Sequence, residues 1–230
     1  MTPEVLKALN AARAAERPAV LARRLDDNRQ TLWVGGAIVA GEPWPPAVED
    51  AAQAALESDR GRKIEADGAT WFVQVFNPPL RLVVVGAVHI AQALVPMAQI
   101  AGYAVTVVDP RRAFAAAERF PGVVLRHDWP DEAMAALAPD ARTAVVTLTH
   151  DPKIDDPALV GALQSEAFYI AALGSKRTHA ARVARLAEAG FDEATIARIH
   201  GPAGLALGAV SPAEIAISVI AEMTRALRQA

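Results

Sequence analysis

The chain has 230 residues, enough for one large domain or for a small domain beside a medium one. With 53% hydrophobic and 21% charged residues it has material for a core, and a net charge of −3 excludes a global basic field that would recruit nucleic acid or an anionic membrane. Cysteine is absent, which excludes disulfides, thiolate metal sites and a cysteine nucleophile within these residues.

The first segment, "MTPEVLKALNAARAAERPAV", lacks the apolar core of a secretory signal, and no apolar run reaches the ~18 residues of a membrane span. A cytoplasmic protein without a membrane partner is expected. A helix is predicted over Pro3–Ala15, with Thr2 as cap, Pro3 in the first turn and Val5, Leu6 and Leu9 on one face. Two strand-like pieces follow, Ala19–Leu25 and Thr31–Gly41, joined by a turn at Asp26–Asn28. "GEPWPP" breaks the chain before a helix at about Ala47–Glu57, and Asp67-Gly68 marks a second hairpin. The first 78 residues therefore read as a small α+β domain.

From residue 79 the pattern changes. "LVVVG", "AVTVVD", "GVVLRH", "TAVVTLT" and "YIAAL" are near-continuous apolar runs, as in parallel strands covered on both faces. With a helix expected between each pair, residues 79–230 read as a Rossmann-like, doubly wound parallel sheet in an α/β chain. At the end, Ser211, Pro212 and Glu214 form a capping box, and Ile215, Val219, Ile220 and Met223 give a helical apolar stripe.

Four stretches carry candidate chemistry. In "LVVVGAVHIAQAL", Gly86 permits a tight turn, Ala91 takes the third glycine position of a dinucleotide fingerprint, and Asp109 stands 23 residues after Gly86, where a carboxylate bonds a ribose hydroxyl. Val88, however, replaces the middle glycine. The alternatives are a displaced phosphate on the helix N-terminus, with His89 in its first turn, or a plain strand and helix.

In "THDPKIDD", Thr149, His150 and Asp151 follow the fourth strand of this sheet, at the edge where such folds bind ligands. His150 is a candidate proton carrier or ligand; alternatively it bonds the loop while Asp155 or Asp156 caps the helix. "GSKRT" offers Gly174, the cap Ser175, Lys176, Arg177 and Thr178 at one helix start. Cations there are unfavourable for an isolated helix, which points to a bound phosphate or carboxylate. "RIHGPAGLALGA" holds Gly201, Gly204 and Gly208, whose backbone could approach a ligand or simply turn.

Taken together, "VVDPR", "THD", "LGSKRT" and "GPAGLALGA-SPAEIA" resemble, in order from about residue 81 to the end, the C-terminal domain of the XdhC/CoxI family of xanthine dehydrogenase accessory proteins. The resemblance implies a molybdenum cofactor chaperone rather than an enzyme with its own turnover. It implies binding of the cofactor (molybdopterin, in some forms a dinucleotide), aid in its sulfuration by a sulfurtransferase, and delivery to a molybdenum hydroxylase, with a homodimer as the working form. It places the cofactor's phosphate at Gly174–Thr178, beside Gly86, His89, Asp109, Arg111, Thr149, His150, Asp151 and Gly204, with His89 and His150 as candidate catalytic groups; no metal set is assigned. Two departures stand out: "GAVH" where the family has Gly-X-Gly-His, and Gly35-Gly36 as the remnant of a Gly-Gly-Cys segment whose cysteine is missing. The rival expectations are an NAD(P)-dependent oxidoreductase and a ligand-free Rossmann-like interaction scaffold.

Overall fold

A computed structural model describes residues 1–229. The chain divides into two compact units, Met1–Pro78 and Pro79–Ala230. No helix among the described residues is long and apolar enough to cross a membrane.

The first unit runs α1 (Pro3–Ala14), β1 (Ala19–Arg24), β2 (Gln30–Val34), β3 (Ala37–Ala40), α2 (Pro46–Ser58), β4 (Arg62–Ala66) and β5 (Ala69–Phe76). Thr2 caps α1, its hydroxyl accepting from Val5 N at 3.3 Å. The sheet is antiparallel in the order β3-β2-β1-β5-β4. Because side chains alternate across a strand, Ala19 and Leu21 of β1 join Val5, Leu9 and Ala12 of α1, while Val20 and Ala22 join Val48, Ala51 and Ala55 of α2. The central strand is thus buried on both faces.

The stretch Thr31–Gly41, expected as one strand, is two. Gly35 and Gly36 take φ of +56° and +100° and reverse the chain between β2 and β3, the turn that a Gly-Gly pair favours between antiparallel strands. Their place at a hairpin tip gives this pair a structural reason of its own.

The second unit runs β6 (Arg81–Val85), α3 (His89–Ile100), β7 (Ala104–Val108), β8 (Val124–Arg126), α4 (Pro130–Leu137), β9 (Thr143–Thr147), α5 (Pro152–Leu163), β10 (Tyr169–Ala172), α6 (Lys176–Glu188), α7 (Glu193–Ile196), β11 (Ile199–His200) and α8 (Pro212–Gln229). All six strands are parallel, in the order β11-β10-β9-β6-β7-β8. The direction of winding reverses between β6 and β9, the switch point of a doubly wound sheet. Leu82 and Val84 face a core with Leu94 of α3 and Val219 and Met223 of α8; Val83 and Val85 face one with Met134 of α4, Leu159 of α5 and Leu186 of α6. The expected Rossmann-type α/β architecture is what the chain adopts.

Two details differ from expectation. No helix joins β7 to β8: Asp109–Val123 is irregular chain, interrupted by Pro110 and Pro121 and tied down by Arg119, which donates to the carbonyl of Ala87 at 2.8 Å and to Gln92 Oε1 at 3.1 Å. The sheet also gains the two-residue strand β11 at the head of the glycine-rich loop. The capping box of α8 is present: Glu214 accepts from the N–H groups of Val210 and Ser211 at 2.8 Å each, and Ser211 Oγ accepts from Glu214 N.

Candidate functional site

The carboxyl ends of β6, β9 and β10 bring three loops of the second unit together. The first contact is at Gly86, where φ is +106°; a Cβ there would lie 2.4 Å from Thr149 Cγ2. The close approach this glycine permits is therefore to the loop after β9. Val88 is the cap residue of α3, at φ −87° and ψ 178°, an extended conformation open to any side chain. Its side chain packs on the core cluster of α3 and α8, and His89 is exposed beside a hollow of about 340 Å³ lined also by Gln92, Phe114 and Arg119.

Asp109 is fully buried, and the chain itself uses both carboxylate oxygens. Oδ2 accepts from Ala87 N at 2.8 Å and from Arg111 Nη2 at 2.8 Å; Oδ1 accepts from Arg111 N and Nε, each at 2.9 Å. Burial alone would push this carboxyl up, but the Arg111 guanidinium and the two backbone N–H groups outweigh it and hold Asp109 below its ordinary value. The pair pins the Gly86 turn to the end of β7. In this arrangement no oxygen is left facing a ribose.

The loop after β9 is built on a buried carboxylate. Asp155 in the first turn of α5 accepts from Thr149 Oγ1 at 2.7 Å, Thr149 N at 3.2 Å and His150 N at 3.0 Å. These bonds hold His150 in the left-handed region, φ +63°, with its side chain exposed. The cap of α5 is Asp151, which accepts from Lys153 N at 3.0 Å; neither Asp155 nor Asp156 serves. The reason is that Pro152 starts the helix, leaving Asp155 on the face turned to the loop and Asp156 paired with Arg185.

The loop after β10 meets it. A Cβ on Gly174 (φ +137°) would lie 3.5 Å from His150 Nδ1 and 3.1 Å from Thr178 Cβ. Ser175 caps α6, accepting from Thr178 N at 3.1 Å, and its hydroxyl lies 3.0 Å from that of Thr178. Lys176 and Arg177 are exposed in the first turn, with no ion-pair partner among the described residues. Beneath them, Arg182 is 1% exposed; Nη2 donates to Leu173 O at 3.0 Å, while Nε and Nη1 have no hydrogen-bond partner. The helix N-terminus, the two exposed cations and the exposed His150 form a surface suited to an anionic group. Sequence reasoning missed Arg182; a lone arginine six residues into a charged helix carries no signal of burial.

Gly204 lies elsewhere on the unit. Its N–H donates to Glu222 Oε2 at 2.9 Å, and a Cβ there would be 2.2 Å from Ser218 Oγ, so its close approach is to α8. Glu222 also accepts from Tyr169 Oη at 2.8 Å and lies 3.3 Å from His200 Nδ1, which latches the glycine-rich loop to the helix. Gly201 is packed against the ring of His179. The structure thus brings Gly86, Thr149, His150, Asp151 and Gly174–Thr178 together, with Asp109 and Arg111 behind the Gly86 turn and Gly204 held by α8. Among the described residues no group of three or more His, Asp or Glu side chains is set to hold a metal ion.

Comparisons with known proteins follow the same lines. Residues 82–223 match the family described as the XdhC Rossmann domain. The chain is 32% identical over 148 residues to the molybdenum cofactor insertion chaperone PaoD of Escherichia coli, covering 64% of this chain and 40% of that protein. It is 30% identical over 153 residues to a probable xanthine dehydrogenase subunit of Bacillus subtilis, covering 66% of this chain and 44% of that one. The matched stretch thus spans less than half the length of these two relatives. Among solved structures, a crystal structure of a xanthine dehydrogenase from Bacillus halodurans shares the fold, with a TM-score of 0.75 and 22% identity over 97% of this chain and 64% of that chain.

Proposed function

Because this chain belongs to the XdhC family, as its Rossmann domain establishes, we propose that it binds molybdenum cofactor and holds it for insertion into a molybdenum hydroxylase of the xanthine or carbon monoxide dehydrogenase kind. The observation that carries this reading is the start of α6: a Ser175-capped helix N-terminus with Lys176 and Arg177 exposed, beside the exposed His150. Free N–H groups, the helix dipole and two cations suit the phosphate that the pterin carries, whether single or extended to a dinucleotide. The names of the relatives support the cofactor as cargo.

In this reading the chain's residues bind and orient. Asp155 fixes the backbone of Thr149 and His150, and Gly174 lets the α6 loop close on them. The exposed His150 ring, beside Gly174, is then a hydrogen-bonding group for the cargo's anionic edge. The 230 residues contain no cysteine, so the sulfur of a sulfurated cofactor would come from a separate sulfurtransferase. The homodimer belongs to the same proposal. Against an NAD(P)-dependent oxidoreductase stands Asp109, whose carboxylate is closed off by Arg111 and Ala87.

The test is direct. Purified protein is titrated with molybdenum cofactor released from a donor enzyme and, separately, with NADPH. Saturable cofactor binding, weakened at least about tenfold in Lys176→Ala/Arg177→Ala, is the expected result. Tight NADPH binding without cofactor binding would overturn the proposal.

A further inference from the structure

Val88 and His89 stand at the start of α3 and take no part in the α6 surface. Both line the hollow of about 340 Å³ between that helix start and the irregular chain after β7, together with Gln92, Ala113, Phe114 and Arg119. Ligand pockets run from roughly 300 to 1,000 Å³, so this space suits one small ring system. His89 and Gln92 are three residues apart on α3 and share the face turned to the hollow.

The hollow is held in shape by the chain itself. Arg119 Nη1 donates to the carbonyls of Ala87, at 2.8 Å, and Phe114, while Nη2 donates to Gln92 Oε1 at 3.1 Å. One guanidinium thus ties the β7–β8 crossover to the helix start. Phe114 is fixed as well: its N–H donates to Arg111 O at 2.9 Å, and the Arg111 guanidinium lies over its ring, 4.3 Å from the centroid. Arg111 is in turn locked by Asp109. One face of the ring is covered in this way, yet Phe114 remains 43% exposed. An exposed aromatic ring with a fixed orientation is a platform for stacking.

The polar groups select what stacks there. Because Arg119 holds Gln92 Oε1, the amide of this exposed side chain turns its NH₂ group away from the guanidinium, and that nitrogen has no hydrogen-bond partner among the described residues. None of the six lining residues is a carboxylate, and Arg119 makes the wall positive. A free donor beside a positive charge favours a carbonyl oxygen. An exocyclic amine finds no such welcome, since the amide oxygen already faces Arg119. Val88 completes the lining: where a dinucleotide fingerprint leaves bare glycine backbone for a pyrophosphate, this chain presents a hydrocarbon side chain to a ring.

We propose that this hollow binds a carbonyl-bearing heteroaromatic ring, stacked on Phe114 with its carbonyl oxygen on the Gln92 amide. A pterin and a pyrimidine base share that chemistry. The site is independent of the α6 reading, since the two have no residue in common.

Neopterin and uridine, neither carrying a phosphate, serve as probes, and adenosine, with an amine in place of a ring carbonyl, as the control. In the full chain labelled with ¹⁵N, neopterin or uridine is expected to shift the Gln92 side-chain amide resonances saturably, these being assigned by their loss in Gln92→Glu. The tighter of the two identifies the ring as pterin or nucleobase. Gln92→Glu keeps an oxygen for Arg119 and replaces the donor by a carboxylate; Phe114→Leu keeps apolar bulk and removes the platform. Each should weaken the tighter probe at least about fivefold while thermal unfolding confirms the fold. Adenosine should bind at least about fivefold more weakly than that probe. Failure of both probes to bind, Gln92 resonances that stay in place, either variant binding as tightly as the natural chain, or adenosine matching the tighter probe overturns the proposal.

Discussion

Arg182 Nη2 and Asp155 Oδ2 stand 3.8 Å apart beneath the α5 and α6 loops, both side chains 2% exposed. Burial pushes the Asp155 carboxyl up and the Arg182 guanidinium down, so each is costly where it sits and tolerated because the other is there. The pair contributes position more than stability: Asp155 holds Thr149 and His150, while Arg182 holds the Leu173 carbonyl. Removing Asp155 alone strands a buried cation and three donors. Asp155→Ala should cost about 3–5 kcal/mol, and Asp155→Ala/Arg182→Met less than the sum of the single changes. Urea unfolding of the four proteins measures the coupling, and strict additivity would contradict it.

The packing of Gly86 on Thr149 gives a second expectation. Gly86→Ala introduces both a strained φ of +106° and a Cβ 2.4 Å from Thr149 Cγ2. Thr149→Ser removes that methyl and keeps the hydroxyl that donates to Asp155. Gly86→Ala should therefore destabilise by about 2–4 kcal/mol, and adding Thr149→Ser should recover part of it, leaving about 1–2 kcal/mol of backbone strain. Thermal melts of the double variant no better than the single one would show that the methyl contact is not the cause.

Asp109 sets a pH dependence whose sign follows from its partners. Its folded value lies below the ordinary 3.8, so its contribution is present above that pH and is lost as pH falls through the depressed folded value. Urea midpoints measured from neutral to strongly acid pH should fall less steeply in Asp109→Asn than in the natural chain. At neutral pH the same variant should be the less stable of the two, because Arg111 loses its bidentate partner. Equal acid slopes would mean that other carboxylates dominate.

Lys176 and Arg177 separate stability from binding. Cations in the first turn of α6 oppose the helix dipole, so Lys176→Glu/Arg177→Glu should leave stability unchanged or raise it by about 0.5–2 kcal/mol. The same change should abolish binding of an anionic cargo. Calorimetric melting and cofactor titration on one preparation check both halves, and a stability loss above about 1 kcal/mol would assign these side chains a structural role.

The architecture is legible in the residue order alone. The apolar runs at Leu82–Val85, Thr143–Thr147 and Tyr169–Ala172 read as strands buried on two faces, and Thr2, Ser175 and Ser211 with Glu214 announced their helix starts through local capping. These are short-range properties, written in neighbouring residues. Local reading was weaker where a glycine pair resembled strand interior, at Gly35-Gly36, and where Pro110 and Pro121 kept the β7–β8 crossover from becoming helical.

What the marked residues touch is a matter of packing between distant segments. Gly86 proved to make room for Thr149, Gly204 for Ser218, and Asp109 to take the N–H of Ala87 as well as Arg111 two residues on, because Thr149, Ser218 and Ala87 are each brought in by a separate loop, helix or turn. Asp155 and Arg182 are 27 residues apart in sequence (182 − 155) and meet only when α5 and α6 pack side by side. Spacing along a chain fixes backbone conformation; it does not say which side chain fills the space a glycine leaves, or which cation a buried carboxylate finds.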